Sequence, residues 1–180
     1  MADINKKIIL DSKHIQLSIT KLAKDILSKN IDISEIAIVG IQTRGVYLAK
    51  RLLKELLSIK KIDIEIPFGI LDITLYRDDL GEMGADIPTI KDTNIPFDIN
   101  AKNIILVDDV LYTGRTIRCA LDVLKDYGRP KSIQLAVLID RGYRELPIQA
   151  NFVGLSYYTK EQVCVELTEV DGQDVAYCCD

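Results

Sequence analysis

The sequence predicts an α/β fold in which a mostly parallel sheet is flanked by helices on both faces. Short apolar runs rich in Ile and Val alternate with stretches of helical apolar spacing, and polar turns follow three of those runs, at Gln42 to Gly45, Asp108 to Thr116 and Asp140 to Gly142. In such sheets ligands bind outside the carboxyl ends of the strands, so these turns are the first places to look for a site.

Asp11 or Ser12 is placed to cap a first helix, along which Ile15, Ile19, Leu22, Ala23, Ile26 and Leu27 form one apolar face, with Lys13, Lys21, Lys24 and Lys29 on the polar side. Glu35 to Ile41 reads as a buried strand, and Val46 to Leu57 as a second helix striped by Leu48, Leu52, Leu53 and Leu56. Gly69 to Leu75 is again strand-like. From Tyr76 to Lys102 no period emerges, and Gly81, Gly84, Pro88 and Pro96 interrupt the segment; so long an irregular insert points to a lid or binding loop, with a hairpin of irregular strands as the alternative. Asn103 to Val107 is a buried strand, Arg115 to Tyr127 a helix closed by Gly128 and Pro130, and Ser132 to Ile139 another apolar strand. Shorter strands are expected at Phe152 to Leu155, Gln162 to Leu167 and Val175 to Tyr177.

At 180 residues and 48% hydrophobic content the chain can bury a sizeable core, and one domain spanning 1–180 is the natural expectation. A net charge of -4 gives no general attraction to nucleic acid or membrane, although a local basic face is compatible with it. The first residues lack the long apolar stretch of a signal peptide, and no apolar run approaches the roughly eighteen residues that a membrane span needs, so a cytoplasmic location is expected. Cys119, Cys164, Cys178 and Cys179 contain no C-x-x-C pair and the chain has a single histidine, which argues against zinc and for reduced thiols.

The chemistry concentrates in VDDVLYTGRT, residues 107–116. A strand delivers two adjacent carboxylates, Asp108 and Asp109, and a Thr113-Gly114-Arg115-Thr116 turn then opens a helix. Backbone NH groups at a helix start, two hydroxyls, a glycine that permits close approach and a guanidinium make a phosphate pocket. The carboxylates, about one sugar length away, suit vicinal ribose hydroxyls. Either feature alone would read as a solvated strand end or a plain Thr113 cap. Neither G-x-x-x-x-G-K-[ST] nor G-x-G-x-x-G occurs.

This segment resembles the phosphoribosyl pyrophosphate motif of the type I phosphoribosyltransferases. The resemblance extends from about Ile8 to Ala176 to the branch that combines uracil phosphoribosyltransferase activity with regulation of pyrimidine operons, through residues 40–52, 72–80, 105–116 and 132–148. It implies that family's fold, with a flexible lid loop over about 76–102 and a small hood. It also implies that Thr43, Arg44 and Gly45 hold pyrophosphate, that Tyr76 and Arg77 belong to the lid, and that Asp108, Asp109, Val110, Leu111, Tyr112, Thr113, Gly114, Arg115 and Thr116 bind phosphoribosyl pyrophosphate. Arg77, Asp108 and Asp109 are its implied catalytic residues, with Mg2+ carried by the substrate and no direct protein ligand.

Ile139, Asp140 and Arg141 match the strand end near the base pocket, a structural Asp-Arg pair being the alternative. Uracil, UMP and UTP are the implied further ligands, and a homodimer or homotetramer the implied assembly. Binding to leader mRNA would draw on Thr20, Lys21, Lys24, Lys29 and Arg144. Tyr143, Gln149 and Leu155 stand where such regulators carry histidine or basic residues.

Overall fold

The computed structural model describes residues 6–61, 64–74 and 93–179. A strand β1 (Lys7–Asp11) leads into α1 (Ser12–Lys29), which starts where predicted because the Asp11 side chain accepts the backbone NH of His14 at 2.9 Å. Its stripe Ile15, Ile19, Leu22, Ala23 and Ile26 is buried. After a 3-10 turn (Ile33–Glu35) comes β2 (Ile36–Ile41), buried along its whole length as its continuous apolar run predicts. Then follow α2 (Arg44–Lys60), β3 (Phe68–Leu71), β4 (Asn103–Leu111), α3 (Arg115–Tyr127), β5 (Ser132–Asp140) and β6 (Phe152–Ser156).

These five strands form one parallel sheet in the order β3-β2-β4-β5-β6. The chain leaves β2 towards β3 on one side and returns to β4 on the other, so the order reverses between β2 and β4. A crevice opens there at the carboxyl ends of the two strands. The α1 and α2 stripes share a core with one face of the sheet, while α3 packs Ile117, Cys119, Ala120, Val123 and Leu124 against the other. Ile15, Ile38, Leu52 and Ile105 are among the fully buried side chains, each contributing about 1.5–3 kcal/mol by leaving water.

The remaining strands, β7 (Gln162–Glu166) and β8 (Val175–Cys179), join β1 in a separate antiparallel sheet ordered β1-β8-β7, with a short helix α4 (Thr168–Asp171) between them. This is the expected small hood. Its inner residues Val163, Val165, Leu167, Ala176 and Cys178 join the α1/α2 core.

Several boundaries differ from expectation. The strand β4 continues through both aspartates to Leu111, because the equally long β5 pairs with it as far as Leu111↔Asp140. The strand expected to reach Leu75 ends at Leu71, where Asp72 turns the chain by accepting the Thr74 backbone NH at 2.8 Å. The helix α2 begins at Arg44, two residues before the predicted Val46. Tyr76, Arg77, Asp78 and Asp79, with most of the irregular insert, lie outside the described residues; Asn94, in its described part, makes an isolated antiparallel bridge to Ile70.

Candidate active site

Two glycines let the first wall of the crevice form. A Cβ at Gly40 would lie 2.6 Å from Val46 Cα, and one at Gly45 would lie 2.6 Å from the Val107 carbonyl oxygen and 3.4 Å from Asp108 Oδ1. The start of α2 therefore lies directly on β4, with the Thr43 to Gly45 backbone beside the paired acids. The Gln42–Thr43 peptide is cis, and Gln42 NH is held by the Leu71 carbonyl at 2.9 Å.

Asp108 and Asp109 face a cleft of about 240 Å³ lined by Gln42, Thr43, Arg44, Asp72, Ile73, Thr74, Asp108, Asp109, Val110 and Thr116. Asp108 Oδ1 accepts the Asp109 backbone NH at 3.0 Å, and Asp109 Oδ1 accepts that of Val110 at 2.8 Å. Burial raises both carboxyls above their usual range. The charge of Asp109 adds to the effect at Asp108, while the Val110 NH and the charge of Arg44 partly offset it at Asp109. The Arg44 guanidinium pairs with Asp171 of the hood through Nε at 3.0 Å and Nη2 at 2.7 Å.

The second wall is the turn after β4. Gly114, at φ 94°, caps α3 without any side-chain bond, so Thr113 is not the cap; its hydroxyl accepts the Arg115 NH at 3.4 Å. The first turn of α3 thus presents backbone NH groups and the positive end of the helix. Thr116 lines the cleft, whereas the Arg115 side chain pairs with Glu145 at 2.7 Å.

Beneath this turn the 140–148 segment forms a bed. The Thr113 carbonyl accepts the NH groups of Glu145 and Leu146 at 3.0 and 3.1 Å, and Gly114 rests on Leu146 and Ile148. Arg144 donates to the carbonyls of Tyr112, Gly142 and Ile148 at 2.8, 3.0 and 2.9 Å and to Asp140 Oδ2 at 2.6 Å. The donors of Arg144, which was expected to contact RNA, are thus directed into the fold.

The base-pocket residues divide. Ile139 is fully buried in the core, since β5 has strands on both edges and packed layers on both faces, so its side chain cannot line a pocket. The aspartate ion pair is made with Arg144, not Arg141. Arg141 is buried, donates to the Lys160 carbonyl at 2.8 Å and stacks 3.7 Å from the Tyr112 ring centre.

On α1, Lys24 and Lys29 are exposed, Lys29 lying 5.5 Å from the Phe152 ring. Lys21 reaches the Val153 carbonyl and Asp25, and Thr20 donates to Glu55 at 2.9 Å across the α1–α2 contact. Sequence reasoning missed Asp72 and Thr74 as cleft residues; their signal is a D-x-T turn directly after a strand. It also missed Asp171, which is adjacent only through the fold.

A cleft with a helix start on either side and two adjacent acids between them, one buried and one partly so, belongs to a recognised class of protein. The phosphoribosyl transferase domain family matches residues 5–171. Among solved structures, a hypoxanthine phosphoribosyltransferase from Staphylococcus aureus superposes with a TM-score of 0.72 at 20% identity, covering 99% of this chain and 94% of that one. A hypoxanthine-guanine phosphoribosyltransferase from Bacillus anthracis gives 0.73 at 19% identity, covering 98% and 99%. At such identity the likeness carries the fold alone.

Sequence relatives are more specific. Bifunctional protein PyrR of Endomicrobium trichonymphae is 61% identical over 168 residues, 93% of this chain and 95% of the relative. Its namesake in Deinococcus radiodurans is 51% identical over 172 residues, covering 94% and 92%. The chain belongs to the PyrR family of phosphoribosyltransferases.

Proposed function

We propose that the chain transfers the phosphoribosyl group of phosphoribosyl pyrophosphate to uracil, giving UMP and pyrophosphate, and that it also binds pyrimidine-operon leader mRNA in response to uridine nucleotides. The observation that carries the transferase reading is the convergence of Thr43 to Gly45, Asp108 and Asp109, and the start of α3 around one cleft.

In the reaction uracil N1 bonds to the anomeric carbon, the bond from that carbon to the pyrophosphate oxygen breaks, and the N1 proton is lost. Positive charge develops on the sugar and negative charge on the leaving group. The NH groups and hydroxyls of Thr113 to Thr116 hold the 5-phosphate. Asp108 and Asp109 accept from the ribose hydroxyls and face the developing cation, while the Thr43 to Gly45 backbone and Arg44 stabilise the pyrophosphate. Tyr76 and Arg77 are assigned to the lid that closes over it.

Magnesium carried by the substrate neutralises the diphosphate. The site chemistry fits that role, since the paired acids offer hard oxygens to an ion that arrives with the substrate. Asp140 and Arg141 are the base-side residues of this reading, Arg141 through its stack on Tyr112.

For RNA, the exposed Lys24 and Lys29 supply phosphate contacts, with Lys21 beside them. We place the protein in the cytoplasm, where both substrates and nascent mRNA occur, as a homodimer or homotetramer. Among the described residues no helix is long and apolar enough to cross a membrane.

The test is pyrophosphate release from phosphoribosyl pyrophosphate and Mg2+ with each nucleobase in turn. Uracil-dependent release supports the reading. Release with hypoxanthine alone, or with no base, overturns it.

A further inference from the structure

We propose that Asp171, in the hood, is a positioning residue for pyrophosphate: it sets the orientation in which Arg44 meets the leaving group. The inference rests on the assignment of Thr43 to Gly45 to pyrophosphate. Arg44 opens α2 and lines the cleft, but its long side chain has many rotamers and no partner in its own loop is recorded among the described residues. Asp171 grips it as a fork, Oδ2 to Nε at 3.0 Å and Oδ1 to Nη2 at 2.7 Å. A carboxylate bound along the Nε–Nη2 edge fixes the guanidinium plane and leaves the Nη1 edge to meet a second anion.

Asp171 is itself built in place. Its Oδ2 also accepts the Leu167 backbone NH at 2.9 Å, and Leu167 is fully buried. The rest of the α4 turn is anchored to α2 one helical span further on, where Arg51 grips Glu169 through Nε at 2.9 Å and Asp174 through Nη1 at 2.6 Å. Thr168 adds its backbone NH and hydroxyl to Asp174, both at 2.8 Å. Beside its apolar packing on the α1/α2 core, the hood thus meets a cleft-lining side chain through Arg44–Asp171 and is fastened to α2 further along by Arg51 with Glu169 and Asp174. Breaking each separately distinguishes orientation of Arg44 from general support of the hood.

The experiment is calorimetric titration of the full chain with inorganic pyrophosphate and Mg2+, together with KM for phosphoribosyl pyrophosphate and for uracil. Wild type is compared with Asp171→Asn, Asp171→Glu and Glu169→Gln, each checked for folding by thermal melting. Asp171→Asn is expected to weaken pyrophosphate and raise the phosphoribosyl pyrophosphate KM on the order of tenfold, as when a group orienting a ligand-binding residue is lost, with the uracil KM unchanged. Asp171→Glu, which keeps the charge but moves the fork, falls between, and it carries the test if the asparagine variant does not fold. Glu169→Gln binds pyrophosphate as wild type does.

Equal weakening in Asp171→Asn and Glu169→Gln would overturn the proposal in favour of simple support of the hood. Unchanged or tighter pyrophosphate binding in Asp171→Asn would also overturn it, the tighter case making Asp171 a competitor of the substrate. Failure of the transferase reading is separate, since it is seen in wild type as pyrophosphate binding without uracil-dependent release.

Discussion

The cleft and the hood both hold clustered carboxylates, with opposite electrostatic results. In the cleft, burial raises Asp108 and Asp109, and the charge of Arg44 only partly offsets this at Asp109. In the hood, Asp171 is lowered by Arg44, Glu169 by Arg51, and Asp174 by Arg51 to about 2. The hood acids have their cations supplied by α2, so they hold the fold together. The cleft acids have only the partial compensation of Arg44, and in the proposed reaction they face the positive charge that develops on the sugar. An acid pair at least half of which is buried, and left so poorly compensated, is a site feature more than a stabilising one.

The largest expected effect is on catalysis. Asp109→Asn should lower uracil-dependent pyrophosphate release at least about a hundredfold, as loss of a group that orients the reacting sugar does. The same change should raise the melting temperature at neutral pH, because desolvation makes the charged form of Asp109 unfavourable in the folded state. A variant that loses activity and stability together would break the comparison.

Next is the bed beneath the second wall. Arg144→Gln leaves part-buried carbonyls and Asp140 without their donor, and should cost about 2 kcal/mol in denaturant unfolding, with weaker binding of phosphoribosyl pyrophosphate. Loss of RNA affinity with stability and substrate affinity intact would restore the sequence-based expectation for Arg144. Gly45→Ala forces a Cβ to within 2.6 Å of the Val107 carbonyl and should cost about 1–3 kcal/mol, measured the same way.

The pH dependences should oppose one another. Asp174 has a depressed pKa, so its pairing stabilises above the unfolded value of about 3.9 and is lost as pH falls towards about 2. Asp108 has a raised pKa, so the native state binds the proton more tightly and stability falls as pH rises through and beyond that unfolded value. Melting curves should therefore show Asp174→Asn destabilised relative to wild type at neutral pH and converging with it in strong acid. Asp108→Asn should be stabilised at neutral pH and converge with wild type below about pH 4. The smallest effect is on RNA binding: Lys24→Ala and Lys29→Ala should each reduce the salt slope of leader binding by about one, with transferase kinetics unchanged.

The amphipathic stripe of α1, the buried run of β2 and the whole of α3 were legible in sequence because each rests on a local apolar pattern, reinforced in α1 by the Asp11 cap. So was the presence of the paired acids and the phosphate turn in residues 107–116, since those groups are sequence neighbours. The continuation of β4 through its acids was not, because strand length depends on a partner whose register lies some thirty residues away, Leu111 opposite Asp140. β1 was also missed, being five residues long and paired with the far end of the chain at Val175–Cys179.

By itself the sequence determined the alternation of strands and helices, the kind of ligand the acids and helix start can hold, and the family. Only the tertiary structure decided which arginine does what. Arg44 and Arg144 are alike as residues, each in a polar turn after a strand. One is placed at the cleft by Asp171, 127 positions away, and the other is turned inward by four carbonyls and Asp140. A long cationic side chain takes its role from the acceptors the fold brings within hydrogen-bond reach, and nothing local to its position specifies them.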